Sequence, residues 1–129
     1  MLERVINNMP NKTFIIVKTQ FEGIHCYPNA PEEVAFLKNP HRHMFHVEAE
    51  IEVFHDDREL EFIIVKRKLD EFLASFKDIN SGSCEMIACK IQSFIKKTYP
   101  YYNNMGKTER YVNVKVFEDG ENGAYIKEI

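Results

Sequence analysis

The sequence predicts an α+β domain in which two helices cover one face of an antiparallel sheet, in the order ββααββ. Three stretches alternate apolar and polar residues with the period of a strand, and two others space their apolar residues by three and four. Clusters of Gly, Pro, Asn and Asp separate them. A chain of 129 residues, 44% hydrophobic and 29% charged, suits one domain over residues 1–129 with a single two-layer core.

After a polar lead-in, the first strand is expected from Lys12 to His25, with Ile15, Val17, Phe21, Gly23 and His25 on one face. Pro28, Asn29, Pro31 and Pro40 punctuate the next connection, which carries Val34, Ala35, Phe36 and Leu37 and reads as an ordered loop. The second strand, Pro40 to His55, places His41, His43, Phe45, Val47, Ala49, Ile51 and Val53 on one face. Arg42, His46, Glu48, Glu50 and Glu52 fall on the other, expected to face solvent.

From Glu61 to Phe76 the spacing of Phe62, Val65, Leu69, Phe72 and Phe76 predicts an amphipathic helix. The linker from Lys77 to Ser83 supplies turn and N-cap residues. Cys84, Ile87, Ala88, Ile91 and Ile95 then mark a second helix, to about Thr98 before Pro100. Tyr101 to Arg110 is polar and reads as loop. In Tyr111 to Glu118 the alternation of Val112, Val114 and Val116 carries Glu118 onto their face, and residues 119–123 predict a hairpin turn into a last strand, Ala124 to Glu128.

Several function classes drop out on composition. Seventeen basic against 20 acidic residues, a net charge of -3, form no polycationic footprint for nucleic acid or an anionic membrane. The first residues lack the apolar run of a signal peptide, and no stretch approaches the roughly 20 apolar residues of a membrane span, so a cytoplasmic location is expected. Cys26, Cys84 and Cys89 lack scaffold spacing; no disulfide is expected, and Cys84 and Cys89 read as packing residues.

Four polar side chains interrupt the apolar face: His25, His41, His43 and Glu118. If the first two strands pair through the loop between them, His25 comes near His41 and His43. Three neutral imidazoles would bind Zn2+ tetrahedrally and leave a fourth position open; the alternative is a buried histidine cluster without metal. A buried carboxylate needs donors, and Glu118 could accept the paired ring N–H and exocyclic amine of a flat nitrogen heterocycle. Its alternative is a solvated strand end.

These residues resemble those of the 6-pyruvoyl-tetrahydropterin synthase and 6-carboxytetrahydropterin synthase family. Phe21-Glu22-Gly23-Ile24-His25 is similar to its Phe-x-x-x-His segment and His41-Arg42-His43 to its His-Gly-His, the family's three zinc ligands. Glu61-Phe62 resembles the acidic-Phe pair that opens its first helix. Ser83-Cys84-Glu85 resembles the Thr-Ser/Thr-Glu that opens its second. Glu118, followed by Asn122-Gly123-Ala124, is similar to the glutamate that anchors the pterin ring. The resemblance runs from His25 to Ala124 in unbroken order. It implies the tunnelling fold (T-fold), a zinc site at His25, His41 and His43, and a pterin or purine-like ligand held by Glu118, Glu85 and Ser83. It also implies a homo-oligomer, a trimer or a hexamer of two trimers, with ligands and anchor contributed by different chains.

The departures concern the proton-moving groups. The family's base is a cysteine four residues before the first histidine of the pair, where this chain has Leu37, and no Asp-His pair lies between the helices. Candidate substitutes are Glu33, with its neighbour Glu32, and Cys26, which on a regular strand would face away from the histidines. The resemblance therefore implies either a zinc-dependent carbon–oxygen lyase acting on a dihydropterin triphosphate-like substrate, or a protein that binds such a ring without turnover.

Overall fold

A computed structural model describes residues 11–76, 78–80 and 82–129. The polar lead-in before Asn11 and the linker residues Lys77 and Ser81 lie outside the described residues. In chain order the elements are β1 (Thr13–His25), β2 (His41–Val53), α1 (Phe62–Leu73), β3 (Asp78–Asn80), α2 (Cys84–Thr98), β4 (Tyr101–Asn103), β5 (Gly106–Thr108), β6 (Val112–Glu118) and β7 (Gly123–Ile126). The expected α+β class holds, but the expected order ββααββ gains β3 between the helices, in a segment read as turn, and β4 and β5 after them. One sheet runs in the order β3-β1-β2-β6-β7, antiparallel except for the short β3, which lies parallel on the outer edge of β1.

The helices bury the face that the alternation selects. Phe45, Val47, Ala49 and Ile51 of β2 and Val112, Val114 and Val116 of β6 meet Val65, Leu69 and Leu73 of α1 and Ile87, Ala88, Ile91 and Ile95 of α2 in one core. Local chemistry fixes where each helix begins. The Glu61 carboxylate accepts the Ile63 and Ile64 N–H groups at 2.8 and 3.1 Å, and the Ser83 hydroxyl accepts that of Met86 at 3.2 Å, which satisfies amides that have no helical partner. After Leu73 the first helix tightens into a 3-10 turn, Ala74–Phe76. The connection between β1 and β2 is ordered as expected and contains a 3-10 turn, Glu32–Lys38.

Two expectations are corrected. Tyr101 to Arg110 is not simply loop: β4 and β5 pair as a small separate hairpin, with the positive φ of Gly106 at the start of β5. Nor is the polar face of β2 solvated throughout, because Glu52 is 3% exposed. Its carboxylate accepts the Tyr111 N–H at 2.9 Å and the Lys12 ammonium at 3.0 Å. A carboxylate with such donors can be buried where an unpaired one could not.

Gly123 opens β7 where the chain turns back tightly from β6. A Cβ there would lie 2.0 Å from the Val116 carbonyl oxygen and 2.8 Å from the Phe117 Cα, and backbone cannot move aside as a side chain would. Gly123→Ala is therefore expected to cost about 1–3 kcal/mol, read as a lower urea midpoint at unchanged slope. Among the described residues, no helix is long and apolar enough to cross a membrane.

Candidate metal centre

Strand register assembles the histidines. β1 and β2 pair with His25 opposite His41 and Gly23 opposite His43, and β2 and β6 pair with Phe45 opposite Glu118. Side chains facing one another across antiparallel strands lie about 5 Å apart, so three strand ends deliver three imidazoles and a carboxylate to one corner. The ring centroids are separated by 4.6 Å (His25–His41), 5.2 Å (His25–His43) and 5.0 Å (His41–His43). Phe45 floors the cluster, its ring edge-on to His25 at 5.3 Å. One nitrogen from each of the three rings lies within 4.8 Å of the others, so the cluster could hold a metal ion.

Hydrogen bonds determine which nitrogen each ring offers. His25 Nδ1 lies 2.7 Å from the Gly82 carbonyl and His41 Nδ1 2.8 Å from the Asn39 carbonyl. A carbonyl can only accept, so both Nδ1 atoms carry a proton, and in the neutral ring that leaves Nε2 as the lone pair. His43 Nδ1 lies 2.7 Å from Asp119 Oδ2. The Nε2 atoms of His25 and His43 are buried without a hydrogen-bond partner. His25 Nε2 nonetheless stands 3.2 Å from Glu118 Oε2, and His43 Nε2 stands 3.8 Å from Glu118 Oε1. Lone pairs of neutral imidazoles facing a carboxylate at this range repel unless a cation joins them, and this donor set fits one.

Beside the cluster opens a cavity of about 320 Å³, within the range of small-molecule sites. Its wall includes His25, His41, Glu118, Ser83 and Glu85, so the residues expected at the site meet, and a single chain supplies both the histidines and Glu118. Leu37 also lines the cavity, an apolar surface where the resemblance asks for a thiol.

Cys26 lines it too, contrary to strict alternation. The β1 register against β3 shifts between Ile24 and His25, and Cys26 N–H turns to the Asn80 carbonyl at 2.7 Å. Regular pleating thus ends one residue earlier than a straight strand would carry it. Glu33 is exposed on its 3-10 turn and is not among the residues lining the cavity.

No family model matches the chain, and no curated protein matches it.

Sequence reasoning missed Tyr27, Gly82 and Asn122 in the cavity wall and the role of Asp119. The first three belong to loops, where no periodicity announces which way a residue faces. Cys84, read as a packing residue, is indeed buried, but it also borders the cavity. Burial, then the charges of Glu118 and Glu85, push its thiol up to about 11, so it stays protonated and unreactive near neutrality. Cys89, also read as a packing residue, is instead exposed, and with iodoacetamide at pH 7.5 it is expected to be alkylated well before Cys84 by peptide mass spectrometry.

Proposed function

We infer that the chain is a zinc-binding subunit of the tunnelling fold whose cavity receives a pterin or related purine-like ring. The reading resembles that of the 6-pyruvoyl-tetrahydropterin and 6-carboxytetrahydropterin synthases. One observation carries it: three imidazoles whose Nδ1 atoms are held by acceptors converge beside a cavity that shares Glu118 with them. His25, His41 and His43 would hold the zinc, which when bound polarises an oxygen of the ligand. Glu118 accepts the ring N–H and its neighbouring amine, Glu85 offers a second acceptor from the first turn of α2, and Ser83 shapes the wall between them. Two carboxylates on one wall select a donor-rich edge rather than an acceptor-rich one. Subunits of a trimer or hexamer would close the cavity from outside.

The wall favours binding without turnover as the second reading. Leu37 cannot move a proton, and protonated Cys84 cannot accept one. Among the lining groups Cys26 is left as the thiol able to serve as a base in lyase chemistry.

The test is metal analysis of protein purified without chelator, followed by titration with dihydroneopterin triphosphate. About one zinc per chain, with saturable ligand binding lost in Glu118→Gln, is expected. Less than about one-third zinc per chain would overturn the reading. Products released on incubation would assign the lyase, and saturable binding with no products the binder.

A further inference from the structure

We propose that Asp119 sets the tautomer of His43 and so decides whether that ring can bind a metal. The inference rests on the zinc reading, but its key observable requires no metal. Of the three histidines, two have Nδ1 on backbone carbonyls, Gly82 and Asn39, which no side-chain change removes. His43 alone depends on a side chain: its Nδ1 lies 2.7 Å from Asp119 Oδ2.

That carboxylate is held from both sides. Asp119 Oδ1 accepts the Met44 N–H at 2.9 Å, and the Asp119 N–H donates to the Met44 carbonyl at 2.7 Å. The residue sits at φ 54°, in the left-handed region that Asp and Asn tolerate better than other side chains. Both oxygens are therefore committed as acceptors, and the one facing His43 can be satisfied only by Nδ1–H. Nε2 is then left as a lone pair, aimed into the cluster and buried without a hydrogen-bond partner. Outer carboxylates of this kind orient metal-binding histidines and strengthen them as ligands.

An amide cannot replace it. Asn offers one acceptor where two donors wait. If its oxygen keeps the Met44 N–H, its NH2 faces His43 Nδ1, and the ring proton moves to Nε2, the atom that should bind. If the amide flips, NH2 faces the Met44 N–H, donor against donor. Asp-to-Asn replacement beside a histidine is known to select the wrong tautomer in this way.

The experiment records long-range 1H–15N spectra of the imidazoles in metal-free parent protein and in Asp119→Asn. A second variant, Asp119→Gly, accepts the positive φ without strain and removes both acceptors. The expected result is Nδ1–H at His25, His41 and His43 in the parent. In Asp119→Asn, His43 alone shifts toward Nε2–H. Zinc affinity, measured by competition with a chromophoric chelator, should fall about 10- to 100-fold in both variants. An unchanged His43 tautomer in Asp119→Asn, or zinc affinity within threefold of the parent in both variants, overturns the proposal. Failure of the parent to bind zinc while the tautomer shift appears would overturn the zinc reading and leave the control of His43 by Asp119 standing.

Discussion

His41→Ala is expected to remove metal-dependent stabilisation while leaving a folded domain. Ligands that bind only the native state add about 2.7 kcal/mol at a free concentration one hundred times Kd, so added zinc should raise the melting temperature of the parent protein. The variant should show no such rise. Losing an outer-shell partner weakens a metal site by about 10- to 100-fold, and losing one of three direct ligands weakens it further. The fold should survive because the hydrogen bond lost, from His41 Nδ1 to the Asn39 carbonyl two residues away, is local and exposed; such bonds contribute about 1 kcal/mol. Metal removal has the complementary effect. The buried Nε2 atoms of His25 and His43 make no hydrogen bond and face the Glu118 carboxylate, so chelator should lower the melting temperature of the parent and not of the variant. Equal responses of both proteins to zinc would mean that the histidines form a core cluster with no metal to bind.

The site was more legible than its surroundings for a physical reason. Alternation places a side chain on one face of a strand whatever covers that face, so His25, His41, His43 and Glu118 could be assigned to the helix-covered side from spacing alone. The pairing of β1 with β2 followed from the single connection between them. Alternation is silent on what covers the opposite face. Glu52 reads as a solvent residue and is buried, because the Tyr111 N–H and Lys12 come to it from distant parts of the chain. Arg110, inside a segment read as loop, is 3% exposed. Asp119 reads as one residue of a turn, and its contact to His43 depends on where that turn meets β2. Each miss is a polar residue whose partners lie far away in sequence, the information that local pattern lacks.

Arg110 makes the second large prediction. Its guanidinium forms a bidentate pair with Glu59, at 2.8 and 3.0 Å, and donates to the Glu52 and Tyr99 carbonyls, each at 2.7 Å. It also lies 5.3 and 5.8 Å from the ring centroids of Phe54 and Tyr101. Arg110→Met keeps the apolar contacts and removes every donor. Breaking a buried pair from one side costs about 3–5 kcal/mol, since the remaining charge is left without its counter-ion. Urea denaturation should show that loss. Adding Glu59→Leu removes the stranded carboxylate and should recover part of it, but not all, because the Glu52 and Tyr99 carbonyls still lack their donor. A loss below about 1 kcal/mol in the single variant would mean that water replaces the guanidinium and that the network contributes little. Zinc affinity of the folded single variant should be unchanged in either case. Glu52 lies eleven residues along β2 from His41, about 35 Å, and substitutions so far apart without shared partners act independently. The two ends of one strand thus separate what holds the sheet together from what the sheet presents.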